Sequence, residues 1–187
     1  MSIAITWGTN TYERLQTFAC DNLLPTANFK CWRGVTIEAS PELIYKWLCQ
    51  MRIAPYSYDL LDNLGRLSPQ ELKPGLENLK VGQRVMLIFK LVSFVPNQEM
   101  TLELHSKAFA RMVVLDSLAL TYLIIPENIQ AGAECRLLVK VVGLYPNHPL
   151  GWAAQHFLAW GDLLMMRRQL LNFKRLAERD YKKDKEN

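Results

Sequence analysis

The chain is poor in the residues that most often carry chemistry. It has three histidines, His105, His148 and His156, with no HExxH motif or Cys/His cluster around them, so no metal site is expected. Its four cysteines, Cys20, Cys31, Cys49 and Cys135, show no CxxC spacing. The opening MSIAITWGTNTYERLQ lacks the basic-then-apolar order of a signal peptide. The cysteines therefore read as buried, reduced thiols, and the protein as cytoplasmic. No run reaches the roughly 18 apolar residues of a membrane span, so no integral membrane contact is expected. A phosphate loop, a dinucleotide fingerprint and a Ser/His/Asp constellation are all missing, and no cofactor is expected. Charge of one sign is also scarce. The net charge is +4, and aromatics are not interleaved with a basic stripe, which argues against nucleic acid as a partner.

What is present suits one ordinary domain. The chain has 187 residues, half of them apolar, enough for a core without staples. Residues 1–31 have no clear period and read as an arm packed on the domain, with a short helix near Thr11 to Thr17. WRGVTIEA (32–39) alternates as a strand with Arg33, Val35 and Ile37 on one face. Ser40-Pro41-Glu42 then opens a helix, on which Ile44, Trp47, Leu48 and Met51 form one apolar stripe. Pro55 stops it. SYDLLDNLG (57–65) reads as a second short helix capped by Ser57 and ended by Gly65. The Ser68 to Glu71 spacing suggests a further helical turn.

From Gln83 to Tyr145 the period changes to that of strands. QRVMLIFKLVSF, EMTLELHS, ARMVVLDS, LALTYLIIP and CRLLVKVVGLY are each bounded by Pro, Asn, Gly or Ser. Met100, Leu102 and Leu104 oppose Thr101, Glu103 and His105; Leu137, Val139 and Val141 oppose Arg136 and Lys140. One apolar and one wetter face predict an antiparallel sheet covered on one side. Both faces of the first long strand are apolar, so either Leu87 and Phe89 or Met86 and Ile88 point inward. A long amphipathic helix follows from about Leu150 to Asp180. A broad arc including Trp152, Ala153, Phe157, Ala159, Trp160, Leu163, Leu164, Met166, Leu170 and Leu171 lies opposite Gly161, Asp162, Arg168, Gln169, Asn172, Arg179 and Asp180. The mixed-charge residues 181–187 read as a disordered tail.

Four pieces in order carry a resemblance: SPELIYKWLCQM (40–51), YSYDLLDNLG (56–65), LKVGQRV (79–85) and DLLMMRRQLLNFKRLAE (162–178), with WGTNTYER (7–14) ahead of them. Together they resemble a bacterial subgroup of the START-like, or Bet v 1-like, superfamily of polyketide cyclases and lipid-transport proteins. The chain departs from that subgroup at Arg52-Ile53-Ala54-Pro55, where glycines are usual, and at Gly82-Gln83, where Gly-Asp is usual. The second departure removes a carboxylate that a catalytic role could use. The resemblance implies an α+β helix-grip fold: a curved antiparallel β-sheet wrapped around a long C-terminal α-helix, with short helices between the first two strands. It places the domain at residues 32–180. It also implies an internal cavity between sheet and helix, holding a small hydrophobic ligand such as a lipid, quinone or polyketide.

The candidate cavity residues follow from that picture and from the periods. They are Trp47 and Met51; Tyr56 and Tyr58, whose hydroxyls could orient a ligand's polar end; Leu87, Phe89, Leu102, Leu104, Tyr122 and Leu137 on the sheet; and Trp152, His156, Trp160, Leu163 and Arg167 on the last helix. His156 and Arg167 sit about 20° apart on the helical wheel within the apolar arc, so at least one is expected to face a cavity. Binding or carriage without catalysis is the primary expectation. A cyclase or dehydratase using His156 or Arg167 is one alternative. A filled core whose outer sheet face forms a homodimer or binds a partner is the other.

Overall fold

The computed structural model describes residues 2–58, 65–128 and 134–186. The arm folds into three short helices, α1 (Ile3–Thr6), α2 (Thr11–Leu15) and α3 (Ala19–Leu23). Strand β1 (Phe29–Ile37) leads to α4 (Pro41–Cys49) and a single 3-10 turn, Gln50–Arg52. The sheet continues through β2 (Arg84–Val85), β3 (Phe89–Val95) and β4 (Glu99–Leu104). Helix α5 (Lys107–Met112) precedes β5 (Ser117–Asn128) and β6 (Glu134–Leu144), and α6 (Pro149–Glu186) closes the chain. All pairings are antiparallel, in the order β1-β6-β5-β4-β3-β2. This is the helix-grip arrangement: α6 runs across the inner sheet face, with α4 beside it.

Local chemistry explains the elements. Ser40 caps α4 by accepting from the Leu43 N–H at 3.3 Å, with Pro41 at the first helical position. Its stripe of Ile44, Trp47 and Leu48, continued by Met51 in the 3-10 turn, is completely buried. On β5 and β6 the even-numbered Leu120, Tyr122 and Ile124 and the odd-numbered Leu137, Val139 and Val141 enter the main core, as a period of two requires.

Four sequence expectations need correction. ARMVVLDS is not a strand: Ser106 caps α5 through the Phe109 N–H at 3.2 Å, and Lys-Ala-Phe-Ala-Arg-Met outweighs the β-branched Val113-Val114 that follows. The first long strand is broken, because Met86 and Leu87 adopt φ values of 48° and 62°. The turn therefore escapes the alternation that posed the choice of faces. No helical turn forms after Ser68. Finally, α6 continues to Glu186, through the segment expected to be a disordered tail; Lys174 pairs with Glu178 and Arg179 with Asp180 near that end, and cations in the last turn suit the helix dipole. The proposed helix from Ser57 to Gly65 lies largely outside the described residues, as does Asp59.

The outer sheet face is also covered. A second cluster of Phe18, Cys20, Ala119, Leu138 and Val142 packs beneath α3. The Cys20 N–H donates to the Thr121 hydroxyl at 2.9 Å. Lys140, almost fully buried on this face, pairs with Asp21 at 2.7 Å beside the rings of Phe18 and Trp32. Arg136 pairs with Glu13 at 2.7 Å. The wetter face predicted from Arg136 and Lys140 is thus the seat of the arm. That leaves little apolar outer sheet for the dimer alternative.

Candidate functional site

The interior between sheet and α6 is solid at one end and hollow at the other. The solid end contains Trp47, Met51, Tyr56, Leu102, Leu137, Leu170 and Phe173. Tyr56 sits between Trp47 and Phe173, with ring centroids 5.8 and 5.4 Å away. The hollow end is a cavity of about 810 Å³, walled by β5, β6 and α6 and by the β2–β3 turn and α5. Leu87, Met112, Leu164 and Tyr58 line it and are also exposed, so they form its mouth.

Of the residues expected at the site, Tyr58, Leu87, Phe89 and Tyr122 line this cavity, and both Met86 and Ile88 do as well. Trp47, Met51, Tyr56, Leu102, Leu137 and Leu163 are buried packing residues, and Leu104 is half-buried outside the lining. Trp152, His156, Trp160 and Arg167 are exposed and do not line this cavity. His156 stacks on Trp152 at 4.4 Å, and Arg167 lies over the Trp7 ring at 5.7 Å. The expectation that His156 or Arg167 faces the interior is therefore corrected. The physical reason is rotation of α6: its sheet side is Ala159, Leu163, Met166, Leu170 and Phe173, and Asp162 and Gln169 turn inward.

Those two residues define the polar chemistry. Gln169 is a satisfied brace: its Nε2 donates to the Pro55 carbonyl at 2.6 Å, and its Oε1 accepts from the Tyr122 hydroxyl at 2.6 Å. Asp162 is different. Its Oδ2 accepts from Arg33 Nη2 at 2.8 Å and from the Cys31 thiol at 3.7 Å. Its Oδ1 has no hydrogen-bond partner among the described residues. Arg33 is completely buried, donating also to the carbonyls of Ala4 and Ala159, whereas 27% of the Asp162 side chain is accessible, along the cavity wall.

Burial raises the Asp162 pKa above its ordinary value; the Arg33 charge and the bonds from Cys31 and Arg33 oppose that rise. Burial also pushes the Cys31 thiol well up, aided by the Asp162 charge, which keeps the thiol protonated and weakly nucleophilic. Tyr145, buried at the cavity wall, has its hydroxyl raised by burial and then by the charges of Cys31 and Asp162. That hydroxyl has no hydrogen-bond partner among the described residues. The site thus offers the open carboxylate oxygen of Asp162 and the open phenol of Tyr145 in a mostly apolar chamber. No group of His, Cys, Asp and Glu among the described residues has the makings of a metal site.

Neither the family models nor the curated proteins contain a match to this sequence. Solved structures do match in shape. A protein of Thermobifida fusca determined by NMR in solution superposes with a TM-score of 0.51 at 10% identity, covering 79% of this chain and 94% of that one. A protein of Nitrosospira multiformis gives 0.51 at 8% identity, covering 80% and 96%. The di-domain ARO/CYC protein StfQ of the steffimycin biosynthetic pathway gives 0.50 at 10% identity, covering 86% of this chain and 54% of that longer one. Together with the strand order and the closing helix, these likenesses show that the chain has the helix-grip fold.

Proposed function

We propose that this protein binds and carries a small, uncharged amphiphile, with its apolar body in the cavity and a head hydroxyl donated to Asp162 Oδ1 beside the Tyr145 hydroxyl. The observation carrying this reading is the hollow itself: about 810 Å³ of mostly apolar wall, within the size range of small-molecule sites, with Asp162 Oδ1 and the Tyr145 hydroxyl on it lacking a partner among the described residues. The Arg33–Asp162 pair is neutral overall, so a neutral donor fits. A carboxylate or phosphate head would meet the open oxygen of an anion and be repelled.

The test is a titration with three compounds sharing one body: 4-hexylphenol, hexylbenzene and 4-hexylbenzoate. The phenol should bind tightest, by roughly tenfold or more over hexylbenzene, since hydrogen bonds to charged groups contribute about 1.5–3 kcal/mol. Equal binding of phenol and hexylbenzene would refute the head-group assignment. Failure of all three to bind would refute the cavity as a binding site.

A second reading has one observation in its favour. A carboxyl with a raised pKa on the wall of a mostly apolar cavity is the kind of group that moves protons in enolisation or dehydration. It makes the protein a cyclase or dehydratase through Asp162, not through His156 or Arg167. Recovery of the bound compound unchanged after long incubation favours carriage.

A further inference from the structure

The first four turns of α6 turn large apolar side chains away from the sheet. Leu150 and Leu164 are exposed, Phe157 is 80% exposed and Trp160 is 53% exposed. At 100° per residue these four fall within an arc of about 80°, along a ridge roughly 21 Å long. Contiguous apolar surface of this kind marks a place of contact. Leu164 also lines the cavity, so the ridge runs into the mouth.

On α6 and α5 the exposed charges beside it have one sign. Between Pro149 and Ala177 the only carboxylate is Asp162, which faces inward against Arg33. Arg168 lies eighteen residues beyond Leu150, hence five turns along the same line; it is exposed and has no partner among the described residues. Helix α5 borders the cavity through Phe109 and Met112. It carries exposed Lys107, Arg111 and Met112 and no acid.

From this pattern we infer that the ridge seats the cavity mouth on an anionic lipid bilayer. Phe157 and Trp160 enter the boundary between headgroups and acyl chains, where aromatic side chains and apolar helix faces reside. Arg168, Arg111 and Lys107 meet the lipid phosphates, which attract juxtaposed cations. A second copy docked ridge to ridge would bring like charges together instead. Seated this way, an apolar guest passes between bilayer and cavity without crossing water; that consequence rests on the carriage reading, whereas the docking itself does not.

Flotation of the whole protein with vesicles tests the inference. Phosphatidylcholine vesicles are compared with vesicles containing about one third phosphatidylglycerol, for the natural chain, for Phe157→Glu with Trp160→Glu, for the milder Trp160→Ser, and for Arg111→Glu with Arg168→Glu. The natural chain should float with the anionic vesicles. Each double substitution should weaken binding more than tenfold, and Trp160→Ser should do so by a smaller factor. Neither Phe157 nor Trp160 lines the cavity, so their double variant should bind 4-hexylphenol as the natural chain does, which separates loss of docking from loss of fold or of ligand. No flotation with either vesicle overturns the inference. So does flotation indifferent to Phe157 and Trp160. A concentration-dependent dimer in sedimentation that the Phe157 and Trp160 substitutions abolish would overturn it too, by making a second copy the occupant.

Discussion

At the scale of single residues, the Arg33–Asp162 pair decides most. Asp162→Ala leaves a completely buried guanidinium with carbonyl partners but no counter-charge, and removal of one partner from such a pair typically costs about 3 kcal/mol. Urea unfolding should show that loss, and Arg33→Met with Asp162→Leu should recover most of it while abolishing preference for the phenol over hexylbenzene. The pH dependence has a definite sign. Because the folded state raises the Asp162 pKa, the folded chain holds this proton more tightly than the unfolded one. Its contribution is fully present below the ordinary carboxylate pKa and is lost as pH rises through the higher folded value. Stability measured relative to Asp162→Asn should therefore fall with rising pH across that window; a rise would refute the assignment. Both partners left traces in the sequence. Arg33 shares a strand face with Val35 and Ile37, so the period already turns a cation inward. Asp162 is the lone acid in a long stretch of α6. Joining them needed the rotation of α6, and a nearly all-round apolar helix start hides its own phase: Trp152, Phe157 and Trp160 looked like core because apolarity, not burial, was legible.

At the scale of elements, α6 has two unequal halves. Beyond Met166 it is held by the Gln169 brace and by buried Leu170, Phe173, Leu176 and Ala177. Before it, only Gly151, Ala159 and Leu163 are buried. Amides of residues 153–162 should exchange with deuterium faster than those of 169–177, and saturating 4-hexylphenol should slow the former selectively. Gly161 gives a complementary handle. A Cβ there meets no atom of the described residues within 4 Å, so Gly161→Ala should raise stability by about 0.5–1 kcal/mol through helix propensity. Gly161→Phe should fold yet exclude the ligand, because the position lines the cavity. Element order and type were readable for β1, α4, β4, β5, β6 and α6, where period and caps agree. They failed at α5 and at the β2–β3 turn, where a serine cap and two residues of positive φ outrank apolar patterning.

At the scale of the whole molecule, the grip of sheet on helix was expected from the order of pieces, and the arm was expected to pack on the domain, though not on which face. It is a second layer, and Gly8 shows how closely it is applied: a Cβ there would lie 2.0 Å from the Gly34 carbonyl oxygen, at a φ of 73°. Gly8→Ala should lower stability by more than ~1 kcal/mol, read as a drop in the urea midpoint. That contact has a wider consequence. β1 ends the sheet, and a terminal strand with idle peptide groups invites chains to add to it. Here the Gly34 N–H donates to the Trp7 carbonyl, the Trp32 carbonyl receives Arg33, and the Thr36 carbonyl receives Lys174. At the opposite border β2 is only two residues long. Both margins of the sheet are therefore blunted against polymerisation by strand addition, one by a tether drawn from the chain's own beginning.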